Sequence, residues 1–179
     1  MPIRDAAATS PWSNVVKTAL YSAIVPTLLT IGIPAAVLRL EHGAVAMPPD
    51  EWRWIALILI IPGAFLYAWC AWSFVRFGHG TPNPADPPCA LVARGPYRFV
   101  RNPMYVSVLA VILGEAVLFP SAWLWRYAVG SMVFVQILVL AWEERSMRRR
   151  FGADYDRYCG SVPRWFPRPS SAKTSETGH

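Results

Sequence analysis

Charged residues are absent from two long stretches of this 179-residue chain. The stretches run from Thr18 to Leu38 and from Trp54 to Val75, and neither contains Asp, Glu, Lys or Arg. Each has the ~20 residues that an α-helix needs to cross ~30 Å of hydrocarbon. The chain is also 54% hydrophobic with 9 Trp, which is more apolar and aromatic than a soluble domain of this length. Both stretches predict membrane-spanning helices, and the first is too long for the ~7–15-residue core of a cleavable signal peptide.

Cysteine is scarce, since the chain has only Cys70, Cys89 and Cys159. No two of them are close enough in sequence to form a metal-ligand pair, so we predict no disulfide and no metal site. Acidic residues are few as well: 11 Asp and Glu oppose 17 Lys and Arg, which gives a net charge of +6. This excess does not predict nucleic-acid binding, because the arginines cluster at the ends of predicted helices rather than along one soluble face.

Two shorter apolar runs follow in the second half of the chain. Met104 to Phe119 and Tyr127 to Trp142 flank the turn Ser121 to Arg126, and they predict a tight helical hairpin. The fourth helix is expected to continue beyond the bilayer through Glu143 to Arg150, because no Gly or Pro intervenes before Gly152. The predicted fold is an all-α integral membrane protein with four transmembrane helices, a cytoplasmic cofactor-binding loop and a C-terminal helical extension.

The distribution of arginine predicts how these helices cross the membrane. Basic residues concentrate after the second and fourth helices, namely Arg76, Arg94, Arg98, Arg101, Arg145, Arg148, Arg149, Arg150, Arg157, Arg164, Arg168 and Lys173. By the positive-inside tendency, both segments and both termini face the cytoplasm. Short loops and the lack of an organelle-type presequence favour a prokaryotic inner membrane. We expect residues 1–14 to form a flexible arm, residues 15–168 one membrane domain and residues 169–179 a disordered tail.

The connection between the second and third helices is long for a loop. About 26 residues separate Phe77 from Met104, whereas unstructured loops beyond ~12–15 residues are uncommon and usually functional. It begins with Gly78-His79-Gly80, where glycine would let backbone amides approach a ligand closely, although a simple turn explains the same residues. His79 is a candidate proton carrier, or a histidine that only solvates the loop.

The start of the third helix is the strongest candidate for a binding cluster. The planar guanidinium of Arg101 can bind a carboxylate or phosphate through two hydrogen bonds. Asn102 and Pro103 stiffen the start of the helix, and Tyr105 lies one helical turn onward. We therefore predict a binding role for Arg101, whereas Arg98 is explained equally well by anchoring to lipid headgroups.

Three acidic residues stand out on the last two helices. Glu143 and Glu144 lie at the cytoplasmic end of the fourth helix, where the helix dipole disfavours carboxylates. An ion pair with Arg148, four residues away, would compensate Glu144 but not both. A functional carboxylate there could accept hydrogen bonds from ribose hydroxyls or favour a positive sulfonium. Glu115 is the only acid inside an apolar run, and we predict an ion pair with Arg126 across the hairpin.

These motifs follow one another in an order that resembles the isoprenylcysteine carboxyl methyltransferase and phospholipid methyltransferase superfamily. The matching motifs are Gly95-Pro96-Tyr97, Arg101-Asn102-Pro103-Met104-Tyr105, Glu143-Glu144, Phe151-Gly152-Ala153-Asp154-Tyr155 and Val162-Pro163-Arg164-Trp165. The resemblance covers about half of the chain, from Gly78 to Pro167. It implies that the loop and the extended helix enclose S-adenosylmethionine on the cytoplasmic side, while a lipid substrate enters from the bilayer.

The resemblance also implies a set of site residues. The implied cofactor-binding residues are Gly78, His79, Gly80, Tyr97, Arg101, Asn102, Pro103, Tyr105, Glu143 and Glu144. The implied catalytic residues are Arg101, Tyr105 and Glu144. Many members have histidine at the position of Asn102, and an amide cannot titrate near neutral pH, which disfavours proton transfer at this position.

The sequence leaves the methyl acceptor and two rival functions open. A prenylcysteine-like carboxylate or a hydrophobic thiolate would need no general base, whereas a phospholipid amine must first lose a proton, with Glu143, Glu144 or Tyr105 as candidate bases. A sterol-reductase-like enzyme that uses NADPH has a similar C-terminal region but many more helices. A non-catalytic lipid-binding or assembly protein would use the arginines only for anionic headgroups.

Overall fold

A computed structural model describes residues 24–41, 50–73, 76, 91 and 93–167. The regular elements within these residues are all helical, with no strand among them, which confirms the all-α prediction. They are α1 (Ile24–Leu40), α2 (Asp50–Ser73), a 3₁₀ helix (Gly95–Arg98), α3 (Pro103–Leu118), α4 (Ala122–Phe151) and α5 (Ala153–Ser161). The predicted arm, the tail and Gly78-His79-Gly80 lie outside the described residues.

Two of the helices are long and apolar enough to cross a membrane. Glu51–Ser73 within α2 has a mean hydropathy of 2.0, and Ala122–Phe151 has a mean hydropathy of 1.6. Only 17% of each span is buried inside the protein, whereas the core helix of a soluble protein would be mostly buried. Their exposed apolar side chains, among them Ile58, Phe65 and Phe134, suit contact with lipid and indicate membrane association. α3 has 16 residues, fewer than a full span, and the four-span topology stays a prediction.

Helices α2 and α3 lie in the closest contact of the fold. A side chain on Gly114 would place its Cβ 2.6 Å from Cγ1 of Ile60 and 3.0 Å from the carbonyl oxygen of Ala56. Only glycine allows the two backbones to approach so closely, as in many helix pairs within membranes. This contact fixes α3 against α2, so that Tyr97 of the preceding 3₁₀ helix packs beside Cys70 near the end of α2.

The hairpin between α3 and α4 is tighter than the sequence predicts. The hydroxyl of Ser121 accepts a hydrogen bond from the backbone N–H of Leu124 at 3.1 Å, so Ser121 caps the helix and α4 begins at Ala122. The predicted turn Ser121 to Arg126 is therefore too long, because all of it after Ser121 belongs to α4. The predicted ion pair between Glu115 and Arg126 is also wrong. Arg126 lies on the exposed face of α4 with its guanidinium 4.5 Å from the ring centre of Trp123.

Two π turns interrupt the α-helical hydrogen bonding, one in α1 and one in α4. They span Leu28–Gly32 in α1 and Val139–Glu143 in α4. Such turns are frequent at functional sites, because each adds one residue to a helical turn and redirects the side chains that follow. As predicted, α4 continues without a break to the residue before Gly152, whose φ of +52° reverses the chain into α5.

Candidate active site

A cavity of about 450 Å³ lies between α1, α3, α4 and α5. Tyrosine, amide and charged side chains line the end near the start of α3, namely Tyr97, Arg101, Asn102, Tyr105, Glu143, Tyr155 and Tyr158. Aliphatic and aromatic side chains line the other end, including Val25, Leu29, Leu109, Ile112, Phe134, Val135 and Leu138. The cavity therefore offers a polar compartment that is continuous with an apolar one.

The structure gathers five of the seven predicted cofactor residues that it describes around this cavity. Tyr97, Arg101, Asn102, Tyr105 and Glu143 all line it, although more than 35 residues separate the first four from Glu143 in sequence. The other two described candidates are not among its lining residues. They are Pro103, which is buried at the first position of α3, and Glu144, whose carboxylate faces the C-terminal segment.

Local backbone rules explain how the start of α3 presents its polar groups. Pro103 lacks an N–H and has a fixed φ, so it suits the first helical turn. Asn102 makes no side-chain cap for α3; its Nδ2 instead donates to the carbonyl oxygen of Arg164 at 3.4 Å. Consequently Asn102 joins the C-terminal segment to the cavity wall.

The paired glutamates point in different directions. Adjacent helical residues differ by about 100° around the helix axis. Glu143, at the end of the π turn, faces the cavity, where the hydroxyl of Tyr105 hydrogen-bonds to its carboxylate. Its Oε2 atom is buried and has no hydrogen-bond partner in the described part of the chain. One glutamate of the pair therefore lines the cavity and has a carboxylate oxygen without a hydrogen-bond partner among the described residues.

Glu144 is instead held by two arginines from other parts of the chain. Arg164 donates from Nε to Oε1 at 2.7 Å and from Nη2 to Oε2 at 3.0 Å, and Nη1 of Arg101 lies 3.1 Å from Oε1. The local alternative, a close ion pair between Glu144 and Arg148, does not form: Nε of Arg148 donates to Oδ1 of Asp156 at 3.1 Å, although the charge of Arg148 still acts on Glu144. Arg101 and Arg164 are further from Glu144 in sequence than Arg148 is, yet they contact its carboxylate. The four-residue spacing to Arg148 was therefore misleading.

Arg101 connects this ion cluster to the cavity. Besides its contact with Glu144, Nη1 donates to Sγ of Cys159 at 2.7 Å. Its backbone N–H donates to the carbonyl oxygen of Pro163 at 2.8 Å. Nε of Arg101 is buried and has no hydrogen-bond partner among the residues that the structure describes. A cation that lines the cavity thus keeps one unused donor.

Sequence reasoning did not assign site roles to three residues that complete this arrangement: Tyr158, Cys159 and Arg164. The hydroxyl of Tyr158 donates to the carbonyl oxygen of Tyr97 at 2.6 Å, and burial raises the pKa of both tyrosines above the ordinary range. Both therefore stay neutral at physiological pH. Arg164 lies within a motif that carried the resemblance, which was a signal for it, whereas nothing in the sequence singled out Cys159.

Comparison with known protein families supports the same region. Residues 52–154, more than half of the chain, match the family described as phospholipid methyltransferase. This range contains nearly all of α2, all of α3 and α4, and the cavity residues Arg101, Tyr105 and Glu143. No curated protein matches the chain. From the family match and the membrane-type helices, we conclude that the chain belongs to the phospholipid methyltransferase family, whose members are membrane methyltransferases for lipid-related substrates.

Proposed function

We propose that this protein transfers a methyl group from S-adenosylmethionine to a lipophilic acceptor within the cavity. The observation that carries the proposal is the meeting of Arg101, Asn102, Tyr105 and Glu143 at the polar end of a cavity whose other end is apolar. A polar nucleotide and an apolar acceptor have incompatible solubilities, and a cavity with two such ends can hold both. The family match independently favours methyl transfer.

The unsatisfied polar atoms of the cavity fit the proposed cofactor. Nε of Arg101 is a donor without a partner and Oε2 of Glu143 is an acceptor without one, again among the described residues. A buried polar atom that lacks a partner costs about 1–3 kcal/mol. S-adenosylmethionine carries a carboxylate for the donor, and an ammonium and ribose hydroxyls for the acceptor. Binding of the cofactor would therefore give both atoms a hydrogen-bond partner and remove this free-energy cost.

Each residue of the polar end has a distinct part in this proposal. Arg101 and Asn102 would hold polar groups of the cofactor, and the negative charge of Glu143 would favour its cationic sulfonium. When bound, S-adenosylmethionine supplies an activated methyl group that needs no further activation by the protein. The remaining tasks of the chain are to orient the two reactants and to exclude water, for which the apolar cavity walls are suited.

The need for a base depends on the acceptor. A carboxylate or thiolate acceptor is already a nucleophile, so Glu143 would act only through its charge. An amine acceptor must lose a proton before it can attack, and Glu143, hydrogen-bonded to Tyr105, is the carboxylate in the cavity that can accept it. Glu144 is less suited to this role because two arginines occupy its oxygens.

The apolar end of the cavity supports entry of the acceptor from the bilayer. Phe134 lines the cavity and is also 62% exposed on the outer surface of α4. A side chain that both lines the cavity and is well exposed is suited to an opening between the cavity and the protein surface. A prenylcysteine-like, phospholipid or hydrophobic thiol acceptor could therefore reach the cavity sideways, between α1 and α4.

Calorimetric titration of detergent-solubilised protein with S-adenosylmethionine tests the cofactor, and labelled-methyl transfer into a whole-lipid extract tests the acceptor. Arg101→Gln should weaken cofactor binding about tenfold, the effect of losing one hydrogen bond to a charged group. Arg98→Gln is the matched control, because Arg98 is exposed, stacks on Phe99 and does not line the cavity. Failure of the folded wild-type protein to bind S-adenosylmethionine would refute the proposal.

A further inference from the structure

The segment Val162–Trp165, which we name the C-terminal strap, fastens two walls of the cavity to each other. At one end, the carbonyl oxygens of Pro163 and Arg164 accept hydrogen bonds from Arg101 and Asn102 at the start of α3. At the other end, Nε1 of Trp165 donates to Oε1 of Gln136 on α4 at 2.9 Å. The strap lies outside the family-matched residues 52–154.

Within the strap, Arg164 controls how much of the Glu144 carboxylate is open to other donors. Its Nε and Nη2 atoms bind both oxygens of Glu144 in the two-bond geometry that suits a planar guanidinium. The Glu144 side chain is only 9% exposed and that of Arg164 is 30% exposed, so water competes weakly for these bonds. Arg101 contacts Glu144 at one oxygen, Oε1, which it shares with Arg164.

This sharing decides where the remaining donors of Arg101 are directed. With one nitrogen on Oε1 of Glu144 and on Sγ of Cys159, Arg101 keeps Nε free of any protein partner in the described residues. Without Arg164, both oxygens of Glu144 would be open, and Arg101 could form the two-bond pair itself. That pair would draw the guanidinium of Arg101 away from the cavity that it lines.

We propose that Arg164 is a positioning residue: by occupying both oxygens of Glu144, it keeps the guanidinium of Arg101 directed to the ligand in the cavity. The identity of that ligand rests on the proposed function, but the orientation of Arg101 does not. Arg164 does not line the cavity, so it acts through Glu144 and Arg101 rather than by touching the ligand.

A double-mutant cycle tests this relation with S-adenosylmethionine as the probe. Arg164→Gln should raise the Kd about tenfold, equivalent to one hydrogen bond to a charged group. In a Glu144→Gln background, the same change should alter the Kd by less than about twofold, since the group through which Arg164 acts is gone. Arg164→Lys keeps the charge but not the two-bond geometry, and should bind with intermediate affinity.

The matched control is Arg148→Gln, which removes an ion pair of 3.1 Å between α4 and Asp156 of α5 without breaking a hydrogen bond of Arg101 or Glu144. It should leave the Kd near the wild-type value. Equal losses of affinity in Arg164→Gln and Arg148→Gln would overturn the proposal, because fastening of α5 would then explain both. Additive effects of Arg164→Gln and Glu144→Gln would overturn it as well.

A second readout does not depend on the cofactor. Nη1 of Arg101 covers Sγ of Cys159 at 2.7 Å, so alkylation of Cys159 by iodoacetamide, followed at that site by peptide mass spectrometry, reports where Arg101 lies. Arg164→Gln should speed this alkylation severalfold, whereas Arg148→Gln should not. If the wild-type protein did not bind S-adenosylmethionine, the proposed function would fail while this measurement still decided the role of Arg164. An unchanged alkylation rate would refute that role.

Discussion

Replacing the two neighbouring glutamates separately should have opposite consequences. Glu144→Gln is expected to destabilise the fold, whereas Glu143→Gln is expected to leave its stability unchanged or slightly higher. The reason is that Glu144 accepts hydrogen bonds from Arg164 and Arg101, while Oε2 of Glu143 has no partner in the part of the chain that the structure describes. An amide has nearly the same shape as a carboxylate, so neither change should create a cavity.

The magnitudes follow from the contacts of each side chain. Breaking a buried ion pair by removing one partner costs about 3–5 kcal/mol. For Glu144→Gln we expect about 3 kcal/mol, the lower end, because Arg164 is 30% exposed and water can replace part of what it loses. For Glu143→Gln, removing a charge that lacks a full set of partners should raise the free energy of unfolding by up to about 1 kcal/mol.

The assay for both is unfolding in mixed micelles, followed by helical circular dichroism, with calorimetric titration of S-adenosylmethionine on the same samples. Glu143→Gln should weaken cofactor binding although the protein is as stable as the wild type. Glu144→Gln should weaken binding and lower stability together. If the two variants lost the same free energy of unfolding, the assignment of one glutamate to the cavity and the other to the ion cluster would be wrong.

Two further predictions concern packing and pH. Gly114→Ala should destabilise the protein by about 1–3 kcal/mol, because its Cβ would clash with Cγ1 of Ile60, whereas Gly130→Ala, where nothing lies within 4 Å, should be neutral or stabilising in the same unfolding assay. Tyr158→Phe should cost about 1 kcal/mol near neutral pH, since it removes the hydrogen bond to the carbonyl of Tyr97. Burial raises the pKa of Tyr158 above its unfolded value of about 10, so its contribution is intact below pH ~10 and is lost as pH rises further. Wild-type stability should therefore fall more steeply above that pH than the stability of Tyr158→Phe; parallel pH profiles would contradict this.

The helices were predictable where the composition of a stretch, such as the lack of charge or of Gly and Pro, by itself favours a helix. The charge-free stretch from Trp54 to Val75 predicted α2, and the run without Gly or Pro up to Gly152 predicted the extension of α4. The hairpin was misjudged because its apolar runs do not reveal that Ser121 caps a helix. Glu115 and Arg126 are still nearly equidistant from the turn, but Arg126 lies on the exposed face of α4 over the ring of Trp123, so equal distance from the turn was not enough to pair them.

The site was predictable as a set of residues but not as a set of roles. Polar residues at the start of α3 and the end of α4 indicated a common cavity, and Arg101, Tyr105 and Glu143 do line one. The sequence could not distinguish Glu143 from Glu144, because the distinction depends on a π turn and on an arginine 20 residues further along the chain. Local spacing favoured Arg148 as the partner, and a tertiary contact replaced it.

One carboxylate organises the polar end of the cavity from outside it. Glu144 joins Arg101, at the start of α3, to Arg164 of the C-terminal strap, while Cys159 and Tyr158 of α5 hold Arg101 and Tyr97 from the same side. Most of these contacts are shielded from water, where charge-assisted hydrogen bonds are strong and an unpaired charge is costly. Arg101, Tyr105 and Glu143 therefore lie within the family-matched residues, whereas Tyr155, Tyr158 and the residues Cys159 and Arg164 that contact Arg101 and Glu144 lie beyond residue 154. It follows that a truncation before α5 would leave Arg101, Tyr105 and Glu143 in the chain but remove Tyr155 and Tyr158 from the cavity wall, together with the contacts that hold Arg101 and Glu144.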